Sequence, residues 1–159
     1  MEHKYHTVEQ ATRSIERFCA YQERCHKEVQ DKLRSMGVIQ LAIDEIIPHL
    51  IHHKFLNETR FAESYARGKF RIKSWGRTRI VRELKVKGLN ERTIKEGLKE
   101  ISDVDYEVTF DTLSQKRLQQ LTSEKNIYKK RKKFADYMLY RGWESGLVYE
   151  KARELIPEK

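Results

Sequence analysis

Between Arg67 and Lys87 the chain carries nine cationic side chains, Arg67, Lys69, Arg71, Lys73, Arg77, Arg79, Arg82, Lys85 and Lys87, against one acid, Glu83. Guanidinium and ammonium groups at this density donate charge-assisted hydrogen bonds to phosphates and carboxylates. A charge run is ordinarily a solvated helix face, but the near-absence of acids and the embedded Trp75 favour an anionic partner. Trp75 itself reads as a packing anchor at a helix joint rather than a base-stacking platform. A second run, Lys129-Lys130-Arg131-Lys132-Lys133, directly precedes Phe134. Five cations at the start of a helix oppose its dipole, whose N-terminal end favours anions. A sequence shaped by stability alone would avoid them, so this run also points to phosphate or carboxylate.

Other chemistry is weaker. His49, His52 and His53 share a helix face with Glu45 one turn earlier, a spacing compatible with metal. Histidines in a last helical turn also simply complement the dipole, and that is the preferred reading. Cys19 and Cys25 lack the C-x-x-C spacing of a zinc or redox site and are expected as reduced, partly buried thiols. There is no nucleophile elbow, no phosphate-cradling glycine loop and no H-E-x-x-H. Acids such as Glu83 and Glu91 stand beside Lys and Arg, where pairing along a helix accounts for them. No catalytic residue, metal or cofactor is expected; the chain reads as a binding protein, not an enzyme.

The elements that hold these side chains are helices. With two prolines and seven glycines in 159 residues, there is little turn chemistry for many short strands. With 38% hydrophobic against 36% charged residues, small helical modules with shallow shared cores fit better than one deep core. Thr7 caps a helix carrying Val8, Ala11, Ile15 and Phe18. After a break near Glu23 to His26, a second helix presents Val29, Leu33 and Met36 and ends at Gly37, as a left-handed terminal residue would. A third carries Ile39, Ile43, Ile46, Ile47 and Leu50, with a kink or restart expected at Pro48. Asn57 caps the next helix, with Phe61 and Tyr65 at i and i+4; Ile80 and Leu84 mark another, ending at Gly88. Asn90 caps the one bearing Ile94, Leu98 and Ile101. The last three carry Val108, Leu113, Leu118 and Leu121, from Asp103 or Asp105; Phe134 and Met138, from about Asn126 to Gly142; and Leu147, Val148, Ala152 and Leu155, before Pro157.

These elements repeat. Carrying Gly37 onto Gly88 and Gly142 aligns Val29 with Ile80 and Phe134, Leu33 with Leu84 and Met138, and Val38 with Leu89 and Trp143. The same offsets align Ile43 with Ile94 and Val148, Ile47 with Leu98 and Ala152, and Leu50 with Ile101 and Leu155. Six apolar columns and one glycine column predict an all-α chain of three tandem three-helix repeats, at residues 1–54, 55–102 and 103–159. The repeat is claimed for the second and third helices of each unit, because the first helices align less well.

A net charge of +9 and a pI near 9.5 order the partner classes as nucleic acid, then an acidic protein groove, then an anionic membrane surface. No apolar run approaches the ~18 residues of a membrane span, and the polar start Met1–His6 does not resemble a secretory signal, so a cytoplasmic location is expected.

Phe61-Ala62-x-x-Tyr65 followed by Gly76-x-x-Arg79-Ile80-x-x-Glu83-Leu84-x-x-Lys87-Gly88-Leu89 resembles the bacterial RecX family. Lys130-Arg131-Lys132-Lys133-Phe134 and Tyr140-Arg141-Gly142-Trp143 look like that family's terminal basic helix. The likeness spans nearly the whole chain and is strongest from Leu50 to Ile101. Asn57-Glu58 departs from the family's usual acidic pair by one charge. The resemblance implies an elongated, curved array of three-helix units and a regulator that mostly inhibits the RecA recombinase. It implies binding in the groove of the RecA–DNA filament, contact with single- or double-stranded DNA, and action as a monomer. Under that reading the contact residues are Arg67, Lys69, Arg71, Lys73, Arg77, Arg79, Arg82, Lys130, Arg131, Lys132 and Lys133, while Phe61, Tyr65, Ile80, Leu84 and Leu89 pack. Two other readings stand beside it. One is a stand-alone nucleic-acid-binding protein, such as a transcription factor with the helix from Arg77 to Lys87 as reader; that stretch offers Arg but no Asn or Gln for base edges, so phosphate contact fits better. The other is a structural helical adaptor.

Overall fold

A computed structural model describes residues 7–158, so the Met1–His6 segment lies outside it. The described residues form nine α-helices and no strand: α1 (Val8–Tyr21), α2 (His26–Ser35), α3 (Gln40–His52), α4 (Glu58–Lys73), α5 (Arg77–Val86), α6 (Glu91–Leu98), α7 (Asp103–Gln120), α8 (Ile127–Tyr140) and α9 (Ser145–Leu155). Their starts are written in side chains. The Thr7 hydroxyl accepts the Gln10 N–H while the Gln10 side chain accepts the Thr7 N–H, a reciprocal capping box. Asn57, Asn90 and Asn126 cap α4, α6 and α8 by accepting the N–H three residues on, at 2.8–3.0 Å.

The repeat has a physical basis at the end of each second helix. Gly37, Gly88 and Gly142 adopt φ of +80°, +86° and +92°. The residue after each glycine donates back to the carbonyl five positions earlier: Val38 to Leu33, Leu89 to Leu84 and Trp143 to Met138, at 3.1–3.2 Å. This is the Schellman termination, which needs a left-handed residue and favours apolar groups at both positions joined by the longer bond. Two of the apolar columns are therefore imposed by one backbone motif. The column of Val29, Ile80 and Phe134 is fully buried, as is that of Leu33, Leu84 and Met138.

Several expectations are corrected. Of the kink or restart expected at Pro48, the restart does not occur, since α3 runs unbroken through it. α7 starts at Asp103, as the sequence leads one to expect, and its cap is Ser102, whose hydroxyl accepts the Asp105 N–H. The buried face of α7 is Tyr106, Phe110, Leu113 and Ser114, and Val108 is 59% exposed. Val8, Ile39 and Leu147 are likewise exposed, Ile39 because it is the cap of α3 rather than part of it.

The chain divides into two compact units, and α4, α5 and α6 each contribute to both. The first holds the residues up to Ser64 together with Leu84–Gly97. Its core gathers Ala11, Ile15 and Cys19 of α1, Val29 and Leu33 of α2, Ile43, Ile46 and Leu50 of α3, and Leu56. Gly97 of α6 lies so close to Ala62 of α4 that an added Cβ would come within 2.8 Å of its backbone. Glu58, the remaining acid of the Asn57-Glu58 pair, accepts the His26 N–H at 3.1 Å and so serves the first turn of α2.

Cys19 and Cys25 are buried in this unit and both free. Burial, before any charged neighbour, pushes each thiol up to about 11. Because the folded value lies above the ordinary thiol value of 9.0, the unfolded chain deprotonates first. Stability is therefore unaffected below pH 9 and falls as pH rises from 9 towards 11. Urea midpoints at pH 8 and 10.5 should differ in that direction, and the difference should shrink in Cys19→Ala/Cys25→Ala; an equal shift in the double variant would assign it elsewhere.

Candidate nucleic-acid interface

The second unit holds Tyr65–Glu83 and the chain from Leu98 onward, and every one of the eleven expected contact residues lies in it. Its centre is aromatic. Trp143, 1% exposed, packs against Tyr106 with ring centroids 4.4 Å apart and against Phe110 at 5.2 Å; its indole N–H donates to the Ser74 carbonyl at 3.1 Å. α5 starts on this platform without an acid in its first turn. Its opening donors go elsewhere: Gly76 N–H to the Arg141 carbonyl at 2.8 Å, Thr78 N–H to the Gly142 carbonyl at 3.1 Å, and Arg77 N–H to the Tyr106 hydroxyl at 3.0 Å. The C-terminal carbonyls of α8 thus cap α5, and the two dipoles meet head to tail. The approach requires glycine on both sides. A Cβ on Gly76 would stand 2.6 Å from the Trp143 nitrogen, and one on Gly142 2.5 Å from the Arg79 nitrogen.

Tyr106 joins three elements. Its hydroxyl donates to the Glu144 carboxylate, with oxygens at 2.7 and 2.8 Å, while accepting from Arg77. Burial first, and Glu144 after it, hold this phenol well above its ordinary range, so it remains a neutral donor. Nothing in the sequence pattern singled out Tyr106 or Glu144. The available signal was that Glu144 occupies the cap position of the last repeat's third helix, where Ile39 and Asn90 stand in the others.

The eleven cations divide by what they touch. Arg79 is held in place, its guanidinium 4.0 Å from the Trp75 ring centroid and 4.7 Å from that of Tyr140, donating to the Tyr140 carbonyl at 3.2 Å. Arg77 lies over the Tyr106 ring at 4.0 Å and bonds both Asp103 and the Ile101 carbonyl. Arg131 donates to the Ile156 carbonyl at 2.7 Å and pairs with Glu158. These three arginines bind the unit together. Arg67 pairs with Glu100 at 3.2 Å, Lys132 with Asp136 at 2.6 Å and Lys133 with Glu124 at 3.0 Å. Such part-exposed pairs are weak and screened, and a phosphate can replace the carboxylate. Lys69 spans Trp75 and Tyr65, 5.0 and 5.5 Å from their ring centroids. Trp75 is therefore covered by Arg79 and Lys69, in keeping with a packing anchor. Arg71, Lys73, Arg82 and Lys130 have no ion pair among the described residues, and the first three are exposed. Lys129 is exposed and unpaired in the same sense.

The two basic runs do not merge. The α5 joint sits at the C-terminal end of α8, whereas Lys130 lies ten residues, roughly 15 Å, back along that helix. Arg141, absent from the expected set, bridges the joint by donating to the Lys73 carbonyl at 2.6 Å. The histidine group resolves differently: His49 and His53 rings lie 4.4 Å apart, and His49 meets Glu16, 3.4 Å away, rather than Glu45. Among the described residues no three ligating groups converge as a metal site.

Comparison with known proteins agrees with the three-helix grammar. Residues 57–98 match the family model described as the second three-helix domain of RecX. A regulatory protein RecX of Bacillus velezensis is 35% identical over 123 residues, covering 77% of this chain and 43% of that protein. One from Listeria monocytogenes is 28% identical over 143 residues, covering 89% and 52%. The chain thus spans about half the length of the curated relatives it matches. The crystal structure of RecX from Lactobacillus salivarius superposes with a TM-score of 0.79 at 27% identity, covering 93% of this chain and 96% of that one. A second, described as regulatory protein RecX, superposes with a TM-score of 0.81 at 19% identity, covering 92% and 73%, and speaks to the fold alone. No helix among the described residues is long and apolar enough to cross a membrane. From motif, repeat and fold together, the chain belongs to the RecX family.

Proposed function

We propose that this chain is a cytoplasmic regulator that modulates, mostly by inhibition, a RecA recombinase by binding the RecA–DNA filament, without catalysis of its own. The observation that carries the reading is the set of unpaired cations Arg71, Lys73, Arg82 and Lys130 on one folded unit, flanked by the exchangeable pairs of Arg67, Lys132 and Lys133. Lys69 stands beside them, while Arg77, Arg79 and Arg131 orient the helices that present the others. The direct test is DNA-dependent ATPase and strand exchange by the cognate RecA with this chain added. Inhibition is expected, and Arg82→Glu/Lys130→Glu should raise the half-inhibitory concentration ~10-fold or more. No change in either reaction at saturating protein would sink the proposal.

A stand-alone phosphate-binding role is favoured by one specific feature, the lack of any Asn or Gln in the cationic stretch from Arg67 to Lys87. Four freed cations on single-stranded DNA give an expected slope of roughly −3 in log K against log salt, with little dependence on base sequence. Strong preference for one duplex site would instead indicate base readout.

A further inference from the structure

α7 has a cleft on either side, and the two differ in sign. One, of about 410 Å³ beside α9, gathers Asp103, Glu107, Asp111, Glu144, Glu150 and Glu154 against Arg77 and Lys151. The other, of about 470 Å³ beside α4, has an apolar floor of Phe70, Val108 and Leu113, with Arg71 and Lys116 as its cations and Asp105 as its one acid. Both volumes are within the ~300–1,000 Å³ range of ligand clefts. In the second, Val108 is 59% exposed, and Val104 one turn earlier on α7 is 72% exposed. Neither Arg71 nor Lys116 has an ion pair among the described residues.

We infer that the α4–α7 cleft is a docking site for a protein segment carrying an apolar anchor flanked by carboxylates. Three observations select that occupant. The floor is apolar, and purely phosphate-directed contact has no use for an exposed valine. The free cations Arg71 and Lys116 complement carboxylates on either side of the anchor. A nucleobase is disfavoured because the only aromatic lining the cleft, Phe70, is 6% exposed and faces Tyr106 at 6.0 Å, leaving no ring face to stack on. The cleft thereby adds an apolar anchor point to a unit whose other expected contacts are purely electrostatic. This inference rests on the filament reading, which makes the recombinase protomers the source of the segment.

The test uses the full chain and RecA filaments assembled on single-stranded DNA with a non-hydrolysable ATP analogue. Val108→Asp and Lys116→Glu should each weaken co-sedimentation with filaments ~10-fold or more. Affinity of Val108→Asp for bare single-stranded DNA should change less than about threefold. Both sites being on the surface, unaltered circular dichroism and melting are expected for the variants. Unchanged filament binding in both variants overturns the cleft assignment while leaving the filament reading intact. Parallel loss of bare-DNA affinity assigns the cleft to nucleic acid and overturns the inference. Self-association of the wild type that is lost in Val108→Asp assigns it to a second copy, with the same consequence. Failure of the wild type to bind filaments at all removes the filament reading and this inference with it.

Discussion

Gly142→Ala should destabilise the second unit by about 3 kcal/mol or more, whereas Gly37→Ala, at the same place in the first repeat, should cost only ~1–2 kcal/mol. Both glycines hold left-handed backbone, φ +92° and +80°, so the conformational penalty of an L side chain is shared. The surroundings are not. A Cβ at Gly37 meets nothing within 4 Å, while one at Gly142 would lie 2.5 Å from the Arg79 nitrogen and 2.8 Å from its Cα. Those atoms belong to backbone that cannot rotate away, so α5 must lift off α8, breaking the Gly76 and Thr78 bonds to its last carbonyls. Urea unfolding curves for the two variants give the comparison directly. Equal losses would mean that the joint tolerates separation and that the close approach is not what glycine provides there.

Trp143→Ala is expected to lower stability by ~3–5 kcal/mol. The indole is buried against Tyr106 and Phe110, so truncation leaves a cavity at the centre of the unit. It also orphans the Ser74 carbonyl, its hydrogen-bond acceptor, in a residue held at φ +55°. Ser74 is the second-to-last residue before Gly76, so losing its tether frees the link between α4 and α5 and the cations on either side of it. Trp143→Phe separates the two contributions, restoring most of the packing but not the hydrogen bond, and should fall between alanine and wild type in thermal melts. Val38→Ala in the same column serves as the control, because Val38 is only partly buried. If it cost as much as Trp143→Ala, the aromatic centre would not be the decisive term.

What could be read from sequence follows from where each feature is encoded. The helix ends and the repeat were legible because the Schellman termination writes its demands locally: a glycine, then an apolar residue, with a second apolar residue four positions before the glycine. Thr7, Asn57, Asn90 and Asn126 were legible for the same reason. The face of α7 was legible only in part: Leu113 and Leu121 are buried, but Val108 is exposed, and Tyr106 and Phe110 complete the buried stripe. Which cations are engaged was also hidden. Arg67 pairs with a residue 33 positions away, Arg77 with one 26 away and Arg131 with one 27 away, and no local pattern announces such partners. Arg79 lay within the resemblance motif, yet its lodging between Trp75 and Tyr140 depends on the third repeat being folded against it.

The joint between α8 and α5 has a consequence for synthesis. Ser74 and its partner Trp143 are 69 positions apart in the chain. At about 5–20 residues per second, a ribosome needs roughly 3–14 s to travel between them. For the later part of that interval, once the residues up to Gly97 that complete the first unit are made, α5 still lacks the carbonyls that cap its first donors. The nascent chain is therefore built in two stages, and a pause or truncation before Arg141 leaves α5 without the carbonyls that seat it.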